Sequence, residues 1–148
     1  MALPPFRDDG WLPEGRHPTT WDEIEVVFGG EPESQRARVF SNLLSWRNEV
    51  RNAGLFGMLI LDGSFVSTKV NPGDFDAIFV CDEACEERVI QEGEAKELTD
   101  YVRCKERGLG DIITFLESTV RRFPHFCRLD GFDMDKRGVL KGVVEVRI

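Results

Sequence analysis

Histidine is nearly missing from this chain, with two in 148 residues. So few imidazoles leave no basis for a histidine-built zinc or copper centre. The four cysteines, Cys81, Cys85, Cys104 and Cys127, include no Cys-x-x-Cys pair, so a zinc ribbon or finger is not expected either. They read as reduced, mostly buried thiols of a cytoplasmic protein. Basic charge is also short: 19 Lys and Arg stand against 27 Asp and Glu, a net charge of −8. An extended nucleic-acid surface needs a basic face, and this balance argues against one. No apolar run approaches the ~18–20 residues of a transmembrane helix, so no membrane partner is expected. Residues 1–5 lack a basic stretch followed by an apolar one, so no signal peptide is expected. No internal repeat or low-complexity tract is visible. What remains is a chain of single-domain length with enough hydrophobic residues for a real core.

Proline, glycine and charge crowd residues 1–18, which read as an extended arm. Phe6, Trp11 and Leu12 either tack that arm onto the domain or offer it to a partner. Residues 19–148 read as one domain. Thr20 and Glu23 have the spacing of a capping box for a short helix that Gly29 and Gly30 end. Ser34 caps a second, longer helix, in which Val39, Leu43, Trp46 and Val50 form the buried stripe. Arg36, Arg38, Arg47 and Arg51 fall mostly off that stripe, and Gly54 ends the helix. Residues 55–61 and 74–81 read as buried strands, 84–107 as helical with a break at Gly93, and 111–117 as a third strand. In the last strand Val144, Val146 and Ile148 alternate with Glu145 and Arg147. Asp130, Asp133 and Asp135 do not make an EF-hand: counted from Asp133, the twelfth position is Val144 rather than glutamate. His17 and His125 carry no assigned role.

The chemistry is concentrated between the first two strands. Asp74 and Asp76, one residue apart, point the same way on an extended chain, while Phe75 and Ala77 face a core. Carboxylates held side by side raise each other's pKa, and a cation between them removes the conflict. Hard oxygen ligands at this spacing suit Mg²⁺, which typically joins one or two carboxylates to substrate phosphates. Upstream, Gly63 and Ser64 end the first strand; a glycine that lets backbone approach a ligand, with a hydroxyl beside it, makes a phosphate cradle. Asp62 either bonds nearby backbone in that turn or touches the site. Lys69 is either a solvated turn lysine or a reach for a triphosphate oxygen.

A hydrophobic residue, Gly63-Ser64, nine intervening residues (65–73) and Asp74-Phe75-Asp76-Ala77 together resemble the signature of the nucleotidyltransferase superfamily, the polymerase-beta-like fold. The resemblance covers residues from about 34 to 117. It implies an α+β fold with a mixed sheet and helices packed mainly on one face. It implies a third carboxylate on the strand after Asp76, with Asp111 the candidate and Glu117 the alternative. Asp74, Asp76 and Asp111 would then hold Mg²⁺ and carry catalysis, with Gly63, Ser64 and Lys69 binding the nucleoside triphosphate. The implied activity transfers a nucleoside monophosphate to a hydroxyl of a protein or small molecule. Small members of the superfamily act on antibiotics, on proteins including toxins of toxin–antitoxin pairs, or on nucleic-acid ends; the acidic charge disfavours the last. The alternative is an inactive binding module of the same fold, such as an antitoxin.

Overall fold

Residues 2–91, 93–122 and 136–148 are described by the structure, a computed structural model. The readings at His125, Cys127, Asp130, Asp133 and Asp135 lie outside the described residues.

Local chemistry sets the first two helices. Thr20 accepts from the Glu23 amide at 3.2 Å and opens α1 (Trp21–Phe28). Glu23 does not close the capping box; its carboxylate takes the Leu3 amide at 2.7 Å and so ties the chain's start to α1. Ser34 accepts from the Ala37 amide at 3.1 Å and opens α2 (Gln35–Asn52). Strands follow as β2 (Gly57–Asp62) and β3 (Asp76–Cys81). Both start two residues later than the apolar runs suggest. Leu55 still donates to the Val50 carbonyl and belongs to the end of α2, and Asp74 lies outside the ladder. The helical stretch breaks twice, giving α3 (Glu86–Ile90), α4 (Glu94–Thr99) and α5 (Tyr101–Glu106). Gly93 makes the expected break. Asp100 makes the second: its carboxylate caps α5 by accepting from the Arg103 amide at 3.0 Å, instead of facing solvent. Strand β4 (Asp111–Leu116) then leads directly into α6 (Glu117–Arg122), and β5 (Gly142–Arg147) closes the chain.

The fold is α+β: one five-stranded mixed sheet with six helices among the described residues. The sheet order is β1-β5-β2-β3-β4, where β1 (Gly15–Pro18) is the strand that precedes α1. β2 is antiparallel to both neighbours, and β4 runs parallel to β3 after the α3–α5 crossover. The segment read as an arm is therefore partly sheet, with Gly15–Pro18 pairing in parallel with β5 at the edge. An edge is where a strand containing proline can be accommodated. Leu12, just before it, is fully buried.

Period-two alternation assigns the two faces. Leu59, Leu61, Ala77, Phe79, Ile112 and Val144 belong to the main core with the α2 stripe. Trp46 packs edge-on against Phe79 at 5.4 Å and donates its indole N–H to the Leu98 carbonyl at 2.9 Å. Ile60, Ile78 and Val143 form a smaller cluster on the opposite face, with Met58, Val80 and Phe115. Asp62, Asp76 and Asp111 fall on the smaller-cluster face, each two residues from one of its apolar side chains or in line with them.

Candidate metal centre

Strand register builds a row of carboxylates. The β2–β3 ladder ends with Asp62 opposite Asp76, and the β3–β4 ladder begins with Asp76 opposite Asp111. Asp74 reaches the same place from the loop. One oxygen each from Asp74, Asp76 and Asp111 lie within 4.8 Å of one another, close enough to share a cation. The electrostatics record the crowding. Burial first, then Asp74, Asp111 and Asp62, push the Asp76 carboxyl up to about 6 against an opposing pull from Lys141. Asp74 is raised by burial and by Asp111, with Lys105 opposing. Lys105 pairs with Asp111 at 3.4 Å from the solvent side. Asp62 is neutralised by Lys141 at 2.9 Å, an ion pair in which both side chains are 6 % exposed.

Two clefts meet at this cluster. The larger, about 740 Å³, has Gly63, Ser64 and Asp76 in its lining, and Trp11 from the N-terminal segment. Four cations, Lys69, Lys136, Arg137 and Lys141, also line it, with Asp9 among them. A chain of net charge −8 has thus collected basic groups around one opening. The smaller, about 290 Å³, opens on the other side of the cluster, with Asn42, Asp74, Lys105 and Asp111 in its wall.

The loop between β2 and β3 is held from below by Arg36. Although off the apolar stripe of α2, Arg36 is only 9 % exposed. Its Nη1 donates to the Phe28 carbonyl at 3.4 Å and the Phe65 carbonyl at 2.5 Å. Its Nη2 donates to the Ser67 carbonyl at 3.1 Å and to the Lys69 carbonyl. Three of these acceptors belong to the cleft-lining loop.

Gly63 is the tightest point of that loop. Its φ of 82° and ψ of −172° lie in a region essentially restricted to glycine. A Cβ there would stand 2.5 Å from Asp76 Oδ2. Gly63→Ala is expected to cost on the order of 1–3 kcal/mol and to displace the Asp76 carboxylate, and with it any cation held by the three acids. Gly73→Ala is the control, because nothing lies within 4 Å of an added Cβ and its φ is not positive. Thermal melts and magnesium titration of both variants check this; equal behaviour of the two would refute it.

Among the residues predicted from sequence, Asp74, Asp76 and Asp111 come together, and Gly63, Ser64 and Lys69 line the adjoining cleft. Glu117, the alternative third acid, does not join them: it starts α6 at the far end of β4 and pairs with Arg121 at 3.4 Å. Asp62, read as a turn residue or a site contact, lies opposite Asp76 and pairs with Lys141 at 2.9 Å. Asp82 makes no side-chain cap at the turn after β3 and pairs with Arg147 at 2.6 Å. Sequence reasoning missed Lys141 and the role of Arg36, and read Trp11 as an anchor of the arm or a contact for a partner, not as a wall of the cleft. Composition left no signal for the two cations: a lysine just before a strand and an arginine in the first turn of a helix ordinarily face solvent.

Among the described residues no helix is long and apolar enough to cross a membrane. No curated protein and no solved structure matches the chain. The model of a family of unknown function, DUF6932, matches residues 4–147, and the chain belongs to that family.

Proposed function

We propose that this protein is a magnesium-dependent nucleotidyltransferase that moves a nucleoside monophosphate from a nucleoside triphosphate to a hydroxyl group. The observation that carries the reading is the meeting of a three-carboxylate cluster with a basic cleft walled by Gly63 and Ser64. Neither half alone is specific; a polyanion site next to a hard-cation site suits a metal-bound triphosphate. The donor set fits Mg²⁺, because all three ligands are carboxylate oxygens and Asp76 carries negative charge that its surroundings leave poorly compensated. When bound, Mg²⁺ would be held by Asp74, Asp76 and Asp111 and would neutralise charge on the leaving group.

The protein's own groups supply the rest. Ser64 and the backbone at Gly63 would bind the triphosphate tail, and Lys69 would add charge at the same wall; all three line the cleft. Asp111 is placed to take the proton of the attacking hydroxyl, which enters by the smaller cleft past Asn42. The acceptor oxygen bonds to the α-phosphorus, the α–β bridge breaks, and pyrophosphate leaves through the larger cleft. The small open acceptor side suits a protein side chain or a small molecule.

The test is pyrophosphate release with each nucleoside triphosphate and Mg²⁺, beside calorimetric titration of Mg·ATP. Release that EDTA abolishes is the expected result. Binding without release would favour the inactive binding module; absence of both would overturn the nucleotide reading.

A further inference from the structure

We infer that Trp11, carried into the larger cleft by the N-terminal segment, is the platform on which the nucleobase stacks; the inference rests on the nucleotide reading above. The chain's three tryptophans have different fates. Trp46 is sealed in the core, and Trp21 lies under Arg47 at 4.7 Å with its N–H on the Arg147 carbonyl. Trp11 is half-buried and lines the cleft that holds Gly63, Ser64 and Asp76.

The backbone that carries the indole is fixed in advance. The Trp11 carbonyl accepts from the Arg7 amide at 2.8 Å, and the Trp11 amide donates to Asp9 at 3.2 Å. The segment is fastened to both walls of the cleft. The Thr68 amide donates to the Gly10 carbonyl at 3.0 Å on the phosphate side, and the Gly142 amide donates to the Leu12 carbonyl at 2.9 Å on the β5 side. Leu12, fully buried, prevents the tryptophan from swinging away without opening the core. The Lys141 ammonium lies over the ring, 4.3 Å from its centroid, while paired to Asp62, so one face of the indole is taken by a cation held in its own ion pair and the base would stack on the other. A ring immobilised before the ligand arrives loses little entropy on binding.

The geometry orders the ligand along the cleft, with the phosphates toward Gly63, Ser64 and Asp76 and the base toward Trp11. Stacking accepts any base, because every base has a π face. The substrate class is therefore nucleoside triphosphates without strict base choice, the larger purines binding somewhat more tightly than the pyrimidines.

The experiment titrates wild type, Trp11→Ala and Trp11→Phe with Mg·ATP and with Mg·tripolyphosphate, which has no base, by calorimetry and tryptophan fluorescence. Stacking worth ~1–3 kcal/mol predicts that Trp11→Ala weakens Mg·ATP by roughly 5- to 150-fold and leaves Mg·tripolyphosphate within about twofold. Trp11→Phe should hold most of the ATP affinity yet lose the fluorescence quench expected of wild type. If Trp11→Ala binds ATP as wild type does, or loses ATP and tripolyphosphate together, the stacking role is wrong although the triphosphate site stands. If wild type binds neither ligand, the nucleotide reading itself fails and takes this inference with it.

Discussion

Asp76→Asn is expected to lower the proposed nucleotidyl transfer by ~10²–10³-fold or more, because the cation that would stabilise charge on the leaving group loses one of its three carboxylates. The same change is expected to make the metal-free protein more stable at neutral pH. Both follow from one fact: Asp76 sits half-buried among Asp62, Asp74 and Asp111, with its carboxyl pushed from 3.8 up to about 6. In the unfolded chain the group ionises near its ordinary value. Between those two values the folded protein holds a proton that the unfolded chain has already released. Stability therefore falls as pH climbs through that window, and at pH 7 the ionised Asp76 works against the fold. Asparagine keeps the shape and removes the charge. Melting temperatures in EDTA from pH 4 to 8 should drop more steeply for wild type than for Asp76→Asn. Added Mg²⁺ should recover wild type, by about 2.7 kcal/mol at a concentration one hundred times Kd, and leave the variant nearly unmoved. Parallel pH profiles, or transfer retained by the variant, would remove Asp76 from the metal centre.

How much of this could be read from the sequence depended on the distance over which each interaction is set. Asp74 and Asp76 were legible because alternation is local: Phe75 and Ala77 face the core, so the acids face away. That Asp111 joins them was legible only through the resemblance, since the register that sets Asp76 opposite Asp111 is made after a crossover of three short helices. The end of α2 and the start of β2 compete for Leu55, and a hydrogen bond to Val50 decides it. β1 was illegible because Pro13, Gly15 and Pro18 compose a loop, and only the exposed edge of β5 makes a strand of it. Lys141 was illegible for a similar reason. A lysine at a strand's start normally faces water, and its partner Asp62 lies on another strand. Such residues are set by tertiary charge pairing, for which spacing along the chain carries no pattern.

Arg36 gives the sharpest case of that kind and the largest expected loss of stability. Arg36→Met is expected to cost about 3–5 kcal/mol, because hydrogen bonds from a charged donor contribute ~1.5–3 kcal/mol each and their buried acceptors are left partly unsatisfied. In a chain of this length that corresponds to a fall of roughly 10 °C in Tm. Methionine fills the stem of the cavity, so the loss reads the lost guanidinium and not an empty space. Arg36→Lys should recover little. The two arms of the fork reach the Phe28 and Phe65 carbonyls on one side and the Ser67 and Lys69 carbonyls on the other, and one ammonium cannot span both. The guanidinium also lies 5.6 Å from the Phe65 ring centroid, a contact that a compact ammonium makes less well. Hydrogen exchange separates a loop effect from general weakening. Amides of residues 64–69 should exchange much faster in Arg36→Met at temperatures where β2 and β3 remain protected, since Arg36 ties that loop to α2 and the strands have their own ladder. Uniform acceleration across loop and strands would mean that Arg36 supports the core as a whole. An unchanged Tm would mean that the four carbonyls find water as good a partner as the arginine.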